Sequence, residues 1–545
     1  MDLPAQLKTF LHGDIDDSQD TLTKYSKDAS LFEIKPKVVV YPKNTLDIEN
    51  LIKFASHNPG VTITPRSAGT DMSGGAINDS IIMDVTRYFN HIRQIGHDFA
   101  VTEPGVFYRD FEKETLRHNL LLPCYTASKM LNTVGGMAAN NSAGEKTLSY
   151  GQTKDWARNL KVILSDGKEY NFGPLPLTEV KHKMRRKNFE GEVYRKMYKL
   201  ISENQELIQA AKPQTHKNAA GYLLWEVLKD NIFDLSKVFI GSQGTLGVIS
   251  EIKFQLIRPK KHSKLLVMFL KNRDMFELGH LVNIVLGHKP ESFESFDDQT
   301  MQVALKFLPE MLKVMGAENI ISLGIQFLPE ILMVLTGGMP KLVLIAEFTG
   351  DSEKEVDQKC LATQKDVAHF NLRSRITSSE QEAKKYWTMR RESFNLLRHH
   401  SGNLRTAPFI DDIVVKPEFL PDFLPKLQAI MDPYKDKIVY TIAGHIGEGN
   451  FHIIPLMDLK KQESHKIIAE LGAKVYELVL AYKGSITAEH NDGLVRGPYL
   501  EEMYGKEVAK LFKEVKDIFD PKEIFNPHKK IDATFDYSWS HISKS

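Results

Sequence analysis

The chain has only two cysteines among its 545 residues, Cys124 and Cys360, and they lie far apart in the sequence. This excludes a disulfide framework, and it leaves no Cys-x-x-Cys pair for a zinc or iron–sulfur site. Low cysteine content fits the reducing cytoplasm, where we expect the protein to reside. Residues 1–4 also lack the basic and apolar segments that begin a secretory signal.

Neither sign of charge prevails, because 71 basic side chains stand against 70 acidic ones. We therefore expect no nucleic acid partner, since such a partner selects for an excess of Lys and Arg on one face. Long apolar runs are scarce as well. The most apolar region, residues 320–345, is interrupted by Gly, Pro and charged residues, so it predicts no membrane-spanning helix. A buried helix and strand is the expectation there, and peripheral contact with a membrane or a partner is the alternative.

The two common nucleotide fingerprints, G-x-x-x-x-G-K-[ST] and G-x-G-x-x-G, are absent, which argues against a P-loop or Rossmann enzyme. Instead, three loops are rich in glycine, alanine and hydroxyl residues. They span residues 65–76, 133–144 and 241–247, and we call them loops 1, 2 and 3. Small residues let the main chain approach a ligand and aim several N–H groups at an anion. Three such loops predict one long, negatively charged ligand.

The length exceeds what one hydrophobic core usually holds, so we expect two or three domains. Strand patterns at residues 38–41, 81–84 and 99–106 surround a helical pattern at 46–57. After residue 256 the composition changes, and two apolar strands at 264–270 and 341–348 are expected to pair. We predict an α+β protein with an N-terminal extension (1–31), a ligand-binding domain (32–257), a cap domain (258–500) and a C-terminal segment (501–545) that returns to the ligand-binding domain.

Two histidines flank a predicted hairpin loop at residues 447–450. In that register Ile446 faces Phe451 and His445 faces His452. Opposed residues of two strands have Cβ atoms about 4.5–5.5 Å apart, so both imidazoles can reach one metal ion. The sequence therefore predicts a metal site at this hairpin.

A third ligand is offered by Glu489, which is followed directly by His490. Neighbours on a straight strand point to opposite faces, so these two can share a site only where the chain bends. The turn residues Asn491, Asp492 and Gly493 predict that bend. Two imidazoles and one carboxylate leave coordination positions open, which is typical of a catalytic rather than a structural ion.

These loops and motifs together resemble the FAD-linked D-2-hydroxyacid dehydrogenases and oxidases, especially D-lactate dehydrogenases and the glycolate oxidase flavin subunit, within the vanillyl-alcohol oxidase superfamily. The resemblance implies a PCMH-type FAD-binding domain of two α/β subdomains and a ferredoxin-like substrate cap. It implies FAD contacts at Arg66, Ser67, Ala68, Gly69, Thr70, Asp71, Ser73, Ser128, Thr133, Gly135, Gly136, Asn140, Gly144, Gly244, Ile249 and Asn526.

For the chemistry, the resemblance implies that His445, His452 and Glu489 bind a divalent metal, zinc or manganese, and that His490 is the base. Arg390 holds the substrate carboxylate, with Asn450 beside it; a planar guanidinium suits a carboxylate. The implied reaction oxidises a small D-2-hydroxyacid of the D-lactate or glycolate type by hydride transfer to flavin N5. Electrons then leave to a separate acceptor, which is a quinone, an electron-transfer protein or oxygen. A homodimer is a further expectation.

The chain departs from the family in several places. Ser67 and Ala68 stand where relatives often have glycine, and Asn491 stands where they usually have glycine. Phe409 and Ile410 occupy the place of a second basic residue of the hydroxyglutarate branch, which favours a monocarboxylate substrate. Residues 217–222 match a family signature whose separate role the sequence does not reveal.

Two other functions stay open. The first is a flavin-binding electron-transfer or scaffold subunit without a substrate of its own, which has no need for the histidine and glutamate set. The second is a transferase similar to alkyl-glycerone-phosphate synthase. That family uses a run of histidines, for which His399 and His400 are the candidate here.

Overall fold

A computed structural model describes residues 2–307, 327–328, 330, 332–336, 338–399 and 404–544, without the side chains of residues 393–399. Part of the apolar region 320–345 therefore lies outside the described residues. The candidate pair His399 and His400 does too, since neither side chain is described. Within the described part, no helix is both long and apolar enough to cross a membrane.

Three sheets form the first half of the chain. Their strands are β1 Asp14–Asp16, β2 Val38–Tyr41, β3 Ile63–Arg66, β4 Ile81–Asp84, β5 Ile92–Ile95, β6 Phe99–Thr102, β7 Ala157–Ile163, β8 Glu169–Phe172, β9 Pro174–Pro176, β10 Leu228–Lys229, β11 Ile232–Asp234 and β12 Val248–Gln255. The orders are β1-β2-β4-β3, β5-β6-β12-β7-β8 and β10-β11-β9. The strands predicted at 38–41, 81–84 and 99–106 are thus present, although the last ends at Thr102.

The first sheet has a parallel core, in which β2 and β3 both run alongside β4. Every residue of β2 and β4 is buried, as expected for parallel strands that are covered on both faces. The helices of this half cover the sheets at Leu3–Leu7, Gln19–Tyr25, Thr45–His57, Tyr108–Arg117, Val134–Asn140, Thr147–Tyr150, Thr153–Trp156, Leu177–Met184, Phe189–Glu203, Gln205–Ala210 and Ser236–Phe239.

The second half is built on one large antiparallel sheet. Its strands are β13 His262–Leu270, β14 Ser292–Asp297, β15 Leu342–Gly350, β16 Arg373–Ile376, β17 Arg405–Thr406, β18 Ile410–Val414, β19 Val439–His445 and β20 Asn450–Met457. Their order is β16-β13-β15-β14-β19-β20-β17, and β18 also pairs with β20. The expected pairing of the two apolar strands is confirmed, because β13 and β15 are antiparallel neighbours.

The helices of the second half lie at Leu278–Gly287, Asp298–Lys306, Glu353–Asp366, Glu380–His399, Leu420–Met431, Gln462–Ala481, Gly493–Arg496, Leu500–Tyr504, Lys506–Phe519 and Phe535–Ser540. The helix Lys506–Phe519 buries Val508, Leu511 and Phe512 in the core of the five-stranded sheet. Directly after it, the main chain of Ile524 accepts a hydrogen bond from Ile63 N at 2.7 Å. The chain therefore ends on the half where it began.

The predicted register of the hairpin between β19 and β20 is wrong. His445 pairs with Asn450, and His452 pairs with Ala443. The loop starts one residue earlier than predicted, because a 3₁₀ turn at Ile446–Glu448 is closed by Gly449 at φ 68°. The shift of two positions keeps His445 and His452 on one face, since side chains alternate with a period of two.

A buried ion pair fastens the C-terminal segment to the chain that follows His490. The Lys530 ammonium lies 2.6 Å from an Asp492 carboxylate oxygen, and both side chains are fully buried. Lys530 Nζ also donates to Gly221 O at 2.8 Å. Removing one partner of a buried pair leaves an uncompensated charge, which is costly.

We expect Lys530→Met to lower the free energy of unfolding by about 3–5 kcal/mol, because Asp492 is left buried and unpaired. Lys513→Met is the matched control, since that lysine also pairs with several carboxylates but is 36% exposed. For an exposed pair we expect about 0–1 kcal/mol. Urea unfolding of the three proteins measures both effects, and equal losses would refute this assignment.

Candidate functional site

Asp71 joins the three small-residue loops. Its carboxylate accepts hydrogen bonds from Ser73 N at 3.0 Å and Gly75 N at 2.6 Å within loop 1. It also accepts from Asn140 Nδ2 of loop 2 at 3.0 Å and from Gln243 Nε2 of loop 3 at 3.2 Å. One carboxylate thus holds three distant parts of the sequence together as a continuous surface.

Loop 1 keeps donors available at this surface. Among the described residues, none of the main-chain N–H groups from Ser67 to Asp71 donates a hydrogen bond to another part of the chain. Within this stretch only Gly69 has a left-handed backbone, at φ 68°. The departures Ser67 and Ala68 are therefore unstrained, and these N–H groups fit the anionic diphosphate of a dinucleotide.

Loop 2 approaches loop 1 through Thr133. Its hydroxyl donates to Ser67 Oγ at 2.6 Å and accepts from Gly136 N at 3.2 Å, which caps the helix Val134–Asn140. A Cβ on Gly135 would lie 2.5 Å from Pro104 O, and one on Gly144 would lie 1.9 Å from Tyr125 O. Both glycines are thus required by close packing within the protein.

A cleft runs between the loops, lined by Pro65, Ser67, Pro104, Gly135, Gly244 and Ile249. Its walls are largely apolar, and Ser67, the first residue of the stretch with free N–H groups, lines it, so the residues fit an adenine dinucleotide. Gly244 is left-handed at φ 68°. Ile249 lies where β12 is paired with β7 but not yet with β6, which frees one side of its main chain.

Some predicted cofactor residues are engaged inside the protein. The Arg66 guanidinium donates to Lys27 O at 2.9 Å and covers the Tyr25 ring. Asn526 Nδ2 donates to Gly75 O and Gln243 O, both at 2.8 Å. Ser128 Oγ lies 2.9 Å from Thr126 Oγ1 at the surface. The first two side chains support, from within the protein, the cleft formed by loops 1, 2 and 3, which we call the cradle.

Residues 484–497, which we call the bridging loop, carry Glu489 and His490. The fully buried Asp412 bends this loop around its carboxylate. One of its oxygens accepts from Thr487 Oγ1 at 2.5 Å, Glu489 N at 2.8 Å and His490 N at 2.7 Å. The bend that the sequence required is therefore present, and both side chains face one site.

Three histidines are oriented by acceptors at Nδ1. His445 Nδ1 lies 2.7 Å from Glu294 Oε1, His452 Nδ1 lies 3.0 Å from Asp411 O, and His490 Nδ1 lies 2.6 Å from Asp411 Oδ2. An acceptor at Nδ1 places the proton there and leaves the lone pair on Nε2. All three rings therefore present Nε2 as a ligand or base.

The three Nε2 atoms converge on Glu489 Oε1. They lie 3.4 Å away for His445, 3.2 Å for His452 and 3.8 Å for His490. The ring centroid of His452 lies 5.1 Å from that of His445 and 5.1 Å from that of His490. Imidazoles and a carboxylate are ligands for zinc and other divalent transition metals, so this donor set fits such an ion. We call these three histidines and Glu489 the histidine site.

Asp412 lies close to the same point, together with His452, Glu489 and His490. Its second oxygen accepts from Asn450 Nδ2 at 3.2 Å, so both oxygens already have donors. We therefore assign Asp412 to holding the loop. The sequence did not single it out, although it lies in the middle of β18, every residue of which is buried.

The ionisation of the cluster follows from buried charges. Burial opposes the charge on His490, but Asp412 and Asp411 outweigh burial and raise the pKa of His490 to about 9. Burial likewise opposes the charge on His445, and Glu294 raises its pKa to about 8. For His452 burial prevails and the pKa is lowered. The buried carboxylates thus favour the protonated forms of His445 and His490 in the metal-free chain, and a metal ion that binds His445 Nε2 displaces its proton.

Lys217 is a site residue whose role the sequence left open. It is fully buried, and its ammonium lies 2.8 Å from Glu448 Oε2. It also donates to Asn450 Oδ1 at 3.4 Å and Glu489 Oε2 at 3.5 Å. The signature at 217–222 therefore supplies a cation from the first half of the chain to the histidine site in the second.

Arg390 is linked to His445 through the carboxylate of Glu294. It is 7% exposed and forms an ion pair with Glu294, the residue that orients His445. Its Nε has no acceptor among the described residues. Arg391 differs, because it binds Glu145 of the first half through two nitrogens. Arg390 thus keeps a buried donor for a further anion.

The bridging loop also touches the cradle. Leu494 N donates to Ser73 O of loop 1 at 2.8 Å, and Gly493 N donates to Gln243 Oε1 of loop 3 at 2.8 Å. Gly493 has no room for a side chain, since a Cβ would lie 2.3 Å from Ser73 O. The histidine site and the dinucleotide cradle therefore adjoin along this loop.

Comparison with known proteins gives two family matches and several curated relatives. The FAD binding domain matches residues 36–173, and the C-terminal domain of FAD linked oxidases matches residues 259–530. The D-2-hydroxyglutarate dehydrogenase of Pseudomonas putida is 26% identical over 97% of this chain and 51% of its own. The glycolate oxidase subunit GlcD of Bacillus subtilis is 26% identical over 94% and 93%.

The chain thus spans about half the length of the first curated relatives that it matches. Among solved structures, p-cresol methylhydroxylase with substrate bound superposes with a TM-score of 0.68 at 15% identity, over 97% of this chain and 96% of that one. This likeness shows the PCMH-type α+β fold. The chain belongs to the family of FAD-linked oxidases, and its first half carries the FAD-binding domain.

Proposed function

We propose that the protein oxidises a small D-2-hydroxyacid to the 2-oxoacid, with FAD in the cradle and a divalent metal at the histidine site. The observation that carries the proposal is the convergence of three Nε2 atoms on Glu489 Oε1, directly beside the FAD-binding loops. The two relatives described above are named for a 2-hydroxyacid, which supports the same substrate class.

When bound, the flavin supplies a hydride acceptor and the divalent ion supplies a Lewis acid for the substrate oxygens. His445, His452 and Glu489 would hold the ion. His490 is the base, because its Nδ1 is fixed by Asp411 and its Nε2 faces the site to receive the hydroxyl proton. A cation held by His445, His452 and Glu489 would oppose protonation of His490 and favour its neutral form.

Arg390 would bind the substrate carboxylate. Its free Nε is buried, and a guanidinium in a site that excludes water binds a carboxylate strongly. Asn450 is fully buried, and its Oδ1 accepts from Lys217 while its Nδ2 is used by Asp412 and Ile413 O. We therefore assign Asn450 to fixing the site rather than to direct substrate contact.

The charge of the site favours a monocarboxylate. Phe409 and Ile410, in place of a second basic residue, are 1% and 0% exposed in the core. Lys217 reaches the site from a loop, but Glu448 neutralises it. Arg391 is neutralised by Glu145. Arg390 is paired as well, with Glu294, but its buried Nε stays free for one carboxylate. A second substrate carboxylate would thus find no such free donor on Lys217 or Arg391.

A scaffold role without chemistry is the weaker alternative. Burying Lys217, Glu448, Glu489 and Asp412 around three histidines carries a desolvation cost, which a protein without a ligand at this place has no reason to bear. A transferase of the alkyl-glycerone-phosphate synthase type depends on the histidine pair 399–400, which lies outside the described side chains.

The substrate class is tested by adding D- and L-2-hydroxyacids to the FAD-loaded protein without oxygen. We expect D-lactate or glycolate to bleach the flavin. For D-2-hydroxyglutarate we expect kcat/KM to be lower by about 10-fold or more. Its second carboxylate would lose its hydrogen bonds to water on binding and would gain no charged hydrogen bond from the protein. Faster reduction by the dicarboxylate would contradict the monocarboxylate assignment, and no reduction by any acid would favour the scaffold role.

The metal is tested by His452→Ala, with His280→Ala on the exposed face of a cap helix as the control. Loss of a ligand should weaken binding of Zn²⁺ or Mn²⁺ by about 100-fold or more, since even partners of ligands contribute 10–100-fold. Equilibrium dialysis with elemental analysis measures the affinity and the stoichiometry. We expect one ion per chain in wild type and in His280→Ala; equal affinity in His452→Ala would refute the site.

Arg390→Met should raise KM for the hydroxyacid by about 10- to 100-fold, because it removes a charge-assisted hydrogen bond to the carboxylate. FAD affinity should stay unchanged. Arg117→Met, whose side chain is 63% exposed and pairs with Glu114, serves as the control. Steady-state kinetics of the three proteins decide the matter. A normal KM in Arg390→Met would show that another group binds the carboxylate.

A further inference from the structure

Asn491 is a residue of the bridging loop whose side chain contacts loops 2 and 3 at once. It follows His490 directly and is fully buried. Its backbone is left-handed, at φ 67°. Asparagine is one of the few residues with a side chain that adopts this conformation readily.

Every polar group of the Asn491 side chain is used. Nδ2 donates to Asn140 O of loop 2 at 3.1 Å and to Gly241 O of loop 3 at 2.9 Å. Oδ1 accepts from Asp492 N at 2.7 Å. An amide has two N–H donors, and both are directed at carbonyl groups of the FAD-binding half.

These two carbonyl groups depend on Asn491. Among the described residues, neither Asn140 O nor Gly241 O accepts from another donor. A glycine at 491 keeps the backbone conformation but leaves both carbonyl groups unpaired.

The contacts of Asn491 run in two directions. Asn140 also donates to Asp71, the residue that joins the three loops. On the other side, the main-chain oxygen of Asn491 accepts from Arg496 Nη1 at 2.9 Å, and Arg496 pairs with Asp411, which orients His490. Asn491 therefore contacts Asn140, which binds the Asp71 carboxylate that joins the three loops, and Arg496, which binds the Asp411 carboxylate that orients His490.

The geometry points to Asn491 as a positioning residue that couples FAD binding to the histidine site. FAD that orders loops 2 and 3 fixes the two carbonyl groups, and through Asn491 this fixes the bridging loop that carries Glu489 and His490. The coupling is reciprocal, because an effect of FAD on the affinity for the ion requires, by thermodynamic linkage, an equal effect of the ion on the affinity for FAD. This inference rests on the proposed function, since it takes the histidine site to bind a divalent ion.

The test measures Mn²⁺ affinity of the purified chain with and without saturating FAD, by electron paramagnetic resonance of free Mn²⁺. In wild type we expect FAD to tighten Mn²⁺ binding by about 5- to 150-fold, the usual range for coupled sites. In Asn491→Gly we expect FAD to tighten Mn²⁺ binding several-fold less than in wild type, because the contacts of Gly493 and Leu494 with loops 3 and 1 remain. A tightening in the variant that equals wild type, or none in wild type, would overturn the inference.

Asn371→Gly is the matched control. Asn371 is also left-handed, at φ 54°, but it lies on the surface of the cap after a 3₁₀ turn. Relief of left-handed asparagine strain is therefore common to both variants, and only Asn491→Gly removes the two contacts. We expect Asn371→Gly to retain the wild-type coupling; its loss there would also overturn the inference.

A measurement on wild type alone covers the case in which Asn491→Gly fails to fold. Hydrogen–deuterium exchange of the metal-free protein should slow at residues 489–496 when FAD is added, and unchanged exchange there would overturn the inference. Failure of every hydroxyacid to reduce the flavin would instead refute the proposed function while leaving a measured coupling intact, so the two failures are distinguishable.

Discussion

The site depends on the burial of one carboxylate, that of Asp412. A carboxylate that is fully removed from water requires several donors, and here they come from Thr487, Glu489, His490 and Asn450. Two of these donors are consecutive main-chain N–H groups, which a straight strand directs to opposite sides. The chain must therefore bend at residues 489–490, and the bend is what turns both side chains toward His445 and His452.

Charge also explains why the two halves of the chain are joined at this place. Lys217 enters from the first half to balance Glu448 and Glu489, Glu145 enters to balance Arg391, and Lys530 from the C-terminal segment balances Asp492. The Lys217 pairs are buried and Arg391 is 32% exposed, so separating the two halves would leave the buried Lys217 and Glu145 without these partners. The contacts of Lys217 and Glu145 thus hold the FAD-binding half against the histidine site, and the Lys530–Asp492 pair holds the C-terminal segment to the bridging loop.

Much of the fold could be predicted from the sequence, because it follows from local apolar patterns. The helix at Thr45–His57 and the pairing of β13 with β15 are examples. The histidine and glutamate cluster could be predicted because its residue types are rare together and follow a family pattern.

The hairpin register could not be predicted, since the 3₁₀ turn at Ile446–Glu448 depends on Gly449 accepting a left-handed backbone, and two glycines in this loop offer that choice. The roles of Asp411, Asp412, Glu294 and Lys217 were also hidden, because an acidic or basic residue in a strand or loop gains its meaning only from partners far away in sequence. Arg66 and Asn526 show the reverse case, in which a residue of a ligand-binding motif serves the scaffold behind the ligand.

The central claim is that a metal ion bound by the second half faces the flavin bound by the first. Crystals of the full chain with FAD and Zn²⁺, measured at the zinc absorption edge, test it most directly. We expect one anomalous peak about 2.0–2.1 Å from the Nε2 atoms of His445 and His452, with the isoalloxazine ring on the open side of that ion. A peak elsewhere, or a ring turned away from these histidines, would contradict it.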